Sequence, residues 1–278
     1  MKAYKLISIS IFLVFLVLLR VPVEAADEAS YSVGIVPQFD TRLTHSIWRP
    51  ILDDLEQRTG VKFSLRGSTT IPDFEREFDK GLFDFVYMNP YHIIRANKQN
   101  GYRPLVRDID RQLYGIVVVR DDSSIERVAQ LDGQIVAFPA PNALGASLMS
   151  RAAFETEYGI KIRPKYVKTH SSVYLNVALG RAAAGGGVQK TLAQQPDELK
   201  NTLRVIYETS RVAPHPFAVH PRVPQPVSEQ IKAALLAMGE TESGKKMLAL
   251  IPIKQIGSAS LEDYEPLNQL GLDQYYQD

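Results

Sequence analysis

Short apolar runs that stop at proline, asparagine or glycine, each leading into a helical stripe, recur along this chain and restrict it to an α/β fold. The fullest instance spans residues 134–154. Ile135 to Phe138 reads as a buried strand, Pro139-Ala-Pro-Asn142 as a turn, and Ala146, Leu148, Met149, Ala152 and Ala153 fall at helical spacing. A strand that feeds a helix through a tight turn leaves the first backbone N–H groups without intrahelical partners. Their aligned dipoles favour an anion at that place. Asn142 and Ser147 supply side-chain donors or a cap there. An ordinary βα unit has the same pattern, so the other units have to decide.

Tyr31 to Val36 reads as the first strand, ending at Pro37, with Gln38 just beyond it. A helical stripe at Trp48, Ile51, Leu52 and Leu55 closes at Gly60. Val61 to Leu65 and Asp84 to Met88 read as strands, the latter ending at Asn89-Pro90 before a helix that opens with Tyr91 and His92. Further strands are expected at 102–106, 114–119, 165–168 and 203–207. Helices are expected at 71–79, 125–131, 173–179, 191–200, 228–238 and 241–250. Gly185-Gly-Gly187 marks a close backbone approach or a sharp turn. Polar residues recur just past strand ends, at Gln38, at 89–92, at Asn142 and at His170-Ser171-Ser172. Open α/β sheets place ligands at such ends, so four of these loops make a shared cleft.

Residues 1–25 read as a secretory signal peptide. Lys2 and Lys5 precede an apolar run from Leu6 to Leu19, and Val23-Glu-Ala25 offers small residues before a cleavage point. Fourteen residues rise about 21 Å as a helix, short of a ~30 Å hydrocarbon core. Export to the periplasm and cleavage are therefore expected. Setting aside Lys2, Lys5, Arg20 and Glu24 takes 32 basic and 31 acidic residues to 29 and 30, a formal charge of −1. Nucleic acid is not an expected partner of so balanced a chain. There is no cysteine, which removes disulfides, thiolate metal sites and thiol catalysis.

Catalytic signatures are missing as well. No GxSxG elbow, Walker loop or GxGxxG occurs, and the five histidines show no zinc spacing. No cofactor, metal or catalytic residue is assigned.

Beyond this reading, the order of residues resembles the periplasmic phosphonate, phosphite and phosphate-binding proteins of ABC transporters. The resemblance is carried by Val33-Gly-Ile-Val-Pro37, Trp48-Arg-Pro50, Phe83-Asp-Phe-Val-Tyr-Met-Asn-Pro-Tyr91 and Leu131-Asp-Gly133 with Val136-Ala-Phe138. It continues through His170-Ser-Ser-Val173, Leu179-Gly180, Pro214-His-Pro216 and Asp263-Tyr264. It implies a two-lobed type II binding-protein fold, each lobe a mostly parallel sheet flanked by helices, with the ligand cleft between them. Lobe one would span 27–118 plus 218–278 and lobe two 119–217, with hinges near Val118–Arg120 and Pro216–Val219. Tyr91 and His170 match ligand-donating positions of the family. Ser171 and Ser172 either help or cap the helix that follows. The family's hydroxyl-rich helix start corresponds to residues 142–147, where only Asn142 and Ser147 remain polar. The candidate ligand-binding set is therefore Gln38, Tyr91, Asn142, Ser147, His170 and Ser171. Arg42, Arg95 and Arg151 could neutralise an anion, but arginines at such spacing read first as solvated faces.

The function so implied is capture of a small phosphonate- or phosphate-like oxyanion by lobe closure, as a monomer serving an ABC permease. A ligand sensor feeding a membrane kinase or other receptor is the alternative partner arrangement. A periplasmic enzyme is the third class, and no motif supplies its nucleophile or metal.

Overall fold

The computed structural model describes residues 30–251 and 253–277. The expected signal segment, 1–25, lies outside them. The described residues form two sheets. The first has the order β11-β4-β10-β3-β1-β2, built from β1 (Tyr31–Ile35), β2 (Phe63–Gly67), β3 (Phe85–Tyr87), β4 (Arg103–Asp108), β10 (Phe217–Val219) and β11 (Ile256–Ser258). The second has the order β7-β6-β8-β5-β9, built from β5 (Gly115–Arg120), β6 (Ile135–Phe138), β7 (Arg163–Tyr166), β8 (Ala184–Val188) and β9 (Leu203–Glu208).

The two-lobed α/β expectation holds, and the sheets are mixed. β1 pairs in parallel with β2 and β3, and β6 with β7 and β8. The strands that carry the chain between lobes run antiparallel: β10 against β3 and β4, β5 against β8 and β9. A chain that leaves one sheet and returns to it from the other has to enter in the opposite sense. Sheet membership puts β5 wholly in lobe two, so the crossovers are 109–114 and 209–216, tied by mutual 2.9 Å backbone bonds between Leu113 and Val212. The sequence put the first hinge at 118–120, because the β-branched run 116–119 fits a crossing strand as well as an interior one. That run alternates in fact between two cores. Val117 and Val119 join Val136, Phe138 and Phe154, whereas Ile116 and Val118 join Tyr174 and Val177.

Lobe one is held by a phenylalanine-rich core. Phe74, Phe78, Phe83 and Phe85 are fully buried, and Phe74 stacks on Phe83 with centroids 5.5 Å apart. Each such ring removed from water contributes roughly 1.5–3 kcal/mol. Helix starts are fixed by side-chain caps. Asp40 accepts from Leu43 N at the head of α1 (Thr41–Thr59), and Thr70 caps α2 (Ile71–Asp79). Asn89 accepts from Tyr91 N and His92 N at 2.9 and 2.8 Å to start α3 (Pro90–Asn100). Thr169, not Ser171 or Ser172, caps α5 (His170–Ala178), accepting from Ser172 N. The expected single helix over 191–200 divides into α6 (Gln189–Ala193) and α7 (Asp197–Lys200) around Pro196. α8 (Gln225–Met238) and α9 (Glu242–Leu248) complete lobe one. The polar tail, with no helical periodicity to announce it, is wound into 3-10 turns over Leu261–Leu270 and Leu272–Tyr275.

The fullest strand–helix unit of the sequence, 134–154, folds as β6, a turn, one π-helical segment over Leu144–Met149, and α4 (Ser150–Thr156). Its backbone lies directly on β5 and β8. A β-carbon at Gly115 would collide with Gly145 O, and one at Gly186 with Ala146 O. The glycine run 185–187 thus serves close approach. Gly186→Ala is expected to reach or exceed the upper end of the ~1–3 kcal/mol typical of overpacking. Gly60→Ala, with open space around a φ of 71°, should cost about 1–2 kcal/mol. Denaturant melts giving equal losses would contradict this packing.

Candidate functional site

Four strand ends and both crossovers meet between the lobes: the segments after β1, β3, β6 and β8, with 109–114 and 209–216. They enclose two joined chambers that share Gln38, Leu113, Val188 and His215. The inner one, about 20 Å³, is also lined by Asn89, His170 and residues 143–146. The outer one, about 630 Å³, opens past Arg111, Tyr114, Gln189, Lys190 and Arg211.

Two imidazoles, of His170 and His215, line the inner chamber. His170 reaches Thr191 Oγ1 through Nδ1 at 3.3 Å, and burial pushes its pKa down to about 4. His215 stacks on Tyr87 at 5.3 Å, and its Nε2 lies 3.2 Å from the Gln38 amide nitrogen. Burial, with the neighbouring His92 and His170, lowers its pKa to about 3. Both rings are neutral at neutral pH. Since an amide N–H can only donate, His215 Nε2 accepts. Thr191 Oγ1 donates to Val188 O at 2.9 Å, so His170 Nδ1 is the donor of its pair.

Of the residues expected to bind ligand, the structure brings Gln38 and His170 together at the cleft. The other four lie elsewhere. Asn142 is a lobe-to-lobe tie: its Nδ2 donates to Glu75 Oε2 at 3.0 Å and to Gln277 O at 2.7 Å, and its Oδ1 accepts from Gln277 N at 2.9 Å. Glu75 Oε1 lies 2.8 Å from His92 Nε2, and Asn89 Nδ2 donates to Asn142 O at 3.3 Å. The Tyr91 hydroxyl donates to Asp273. Ser147 accepts from Arg151 Nε at 3.1 Å. Ser171 sits half-buried in the first turn of α5, outside both chambers. Arg151, read from sequence as a solvated face, is instead half-buried. Its Nη2 bonds Pro141 O and Tyr275 O, both at 2.7 Å, and burial lowers its pKa. The last turn of the chain therefore lies across the lobe boundary. An isolated polar tail gives no sequence signal for such docking.

The segment 143–152 supplies little polarity because it serves another purpose. Ala143, Leu144, Ala146, Leu148, Met149 and Ala152 belong to the apolar cluster of lobe one, not to that of their own lobe. They form an apolar wedge, of which residues 143–146 line the inner chamber. The sequence pattern did not single out Arg111, Lys190 and Arg211 of the outer chamber, nor His215, which both chambers share. Arg111 and Arg211 are on crossovers, which carry no periodic pattern, and Lys190 follows the glycine run.

Comparison with known proteins fits this architecture. A family model described as the periplasmic substrate-binding protein of phosphonate ABC transporters matches residues 33–264. A binding-protein component of an ABC phosphonate transporter from Pseudomonas aeruginosa superposes with a TM-score of 0.80 at 16% identity, over 88% of this chain and 86% of that one. A Prochlorococcus marinus protein in complex with methylphosphonate gives 0.76 at 15%, over 87% and 97%. A Xanthomonas citri protein bound to ATP gives 0.71 at 15%, over 88% and 98%. At these identities the superpositions establish a common fold.

The buried imidazoles carry a pH dependence. Their folded pKa values lie below the ordinary value near 6.5, so the unfolded chain takes up protons first as pH falls. The stability they contribute is complete above about pH 6.5 and is lost between there and about pH 3–4. Thermal melts should fall from pH 7 to pH 5, and His170→Gln with His215→Gln should flatten that fall. An unchanged slope in the double variant would contradict the assignment.

Proposed function

This chain belongs to the periplasmic substrate-binding proteins of phosphonate ABC transporters, and from that premise we propose that it captures a solute bearing a phosphonate or phosphate group between its lobes and presents it to a membrane permease. The observation that carries this is the cleft itself. It is made of strand ends from both sheets, and two short crossovers are the backbone path between them. Such a hinge lets the lobes separate as bodies and close on a solute. Closure excludes water, so each charge-assisted hydrogen bond to the anion gains strength. A permease that binds only the closed form then selects loaded protein.

In this scheme Gln38, His170 and His215 bound the solute chamber, while Tyr91, Asn142 and Ser147 hold the tail and the two lobes together. The protein acts in the periplasm after loss of residues 1–25, as a monomer and without catalysis. The family match favours the importer role over the sensor role.

A thermal-shift panel of methylphosphonate, inorganic phosphate, phosphite, organic phosphates, sulfate and small carboxylates tests the proposal. A ligand at about a hundred times its Kd stabilises the native state by ~2.7 kcal/mol. A phosphorus compound should give the largest shift. Stabilisation by sulfate or carboxylates alone, or by none of the panel, would contradict it.

A further inference from the structure

Two chambers of very different size and charge occupy the cleft. The inner one, about 20 Å³, has room for roughly one water. Its imidazoles are neutral and already bonded to Gln38 and Thr191. The alanine-rich stretch 143–146 that lines it offers no hydroxyl. An anion with three or four oxygens does not fit in that space.

The outer chamber differs in both respects. At about 630 Å³ it falls among the cavities that bury a drug-sized molecule, and methylphosphonate would leave most of it empty. Three cations line it: Arg111 and Arg211 from the two crossovers, and Lys190 from α6 of lobe two. Among the described residues no carboxylate forms an ion pair with Arg111 or Lys190. Burial and the field of Arg111 lower the pKa of Lys190, as expected of like charges held near one another. Arg211 is steadied by the Tyr114 ring, 4.4 Å from its guanidinium carbon, and by Glu208 at 3.2 Å. The acid of the lining, Asp110, is neutralised by Lys254 at 2.7 Å. The positive field is therefore left for a ligand. Around it stand the amides of Gln38, Gln112, Gln189 and Gln194. An amide both donates and accepts, which suits hydroxyl groups better than bare hydrocarbon.

We infer that the solute is an organic phosphate or phosphonate with a hydroxylated organic part, a sugar phosphate or nucleotide, whose anionic group is held by Arg111 and Lys190 in the outer chamber. This rests on the binding-protein function proposed above and adds the ligand class and the residues that read it.

Calorimetric titration of the purified protein with glucose 6-phosphate, adenosine 5′-monophosphate, methylphosphonate and gluconate tests it. At least one of the two organic phosphates should bind tenfold or more tighter than methylphosphonate and gluconate. Arg111→Gln with Lys190→Gln should lower that affinity by about tenfold or more, with the melting temperature of the free protein unchanged because neither side chain is part of the core. Methylphosphonate or gluconate binding as tightly as both organic phosphates, or a double variant of unchanged affinity, overturns the inference and leaves the binding function standing. If no phosphorus compound binds, both fall.

Discussion

Backbone touching backbone at the lobe boundary is the constraint from which the rest of this architecture follows. The π-helical segment 144–149 lies on β5 and β8 so closely that Gly115 and Gly186 have no room for a β-carbon. Because β5 leads directly from the first crossover, the turn is held beside the hinge. Side chains on this turn must then point into lobe one, and they are alanine, leucine and methionine. A dry contact of this kind is stabilising without being directional. Direction comes from the polar ties at its rim, where Asn142 joins Glu75, Asn89 and the Gln277 backbone.

An apolar turn at the hinge changes where an anion can be held. Backbone N–H groups at a helix start suit a small oxyanion that sits against them. Here that place is filled by the wedge and by two neutral histidines, and the positive charge without a carboxylate partner lies further out, on Arg111 of the first crossover and Lys190 of α6. Arg111 and Arg211 sit on the crossovers and Lys190 on lobe two, so a ligand held by them would touch hinge and lobe together. In the proposed scheme, ligand recognition and closure act through the same side chains.

Much of the fold was legible in the sequence, because its signals are local. Apolar runs ending at Pro37, Asn89 and Pro139 gave the strands, and the glycines at 185–187 announced the close approach that the structure contains. The crossovers were misplaced by a few residues, since Ile116 to Val119 has the same pattern whether a strand bridges two lobes or is buried on both faces of one. The site was less legible. Gln38 and His170 follow strand ends and were found by that rule. Asn142 and Tyr91 follow the same rule, yet their partners are Gln277 and Asp273, more than a hundred residues away in sequence. Arg111, Lys190 and Arg211 carry no local pattern, and only tertiary structure brings them together.

Closure on a phosphorus-bearing solute is the central claim, and a distance between the lobes tests it most directly. The absence of native cysteine allows Gln57→Cys on α1 and Ala129→Cys in lobe two, both exposed positions, to carry a dye pair for single-molecule energy transfer. The account predicts a longer separation in the ligand-free protein, and a shift to a shorter, narrower distribution when methylphosphonate or glucose 6-phosphate is added. A single distribution that neither compound moves would contradict it.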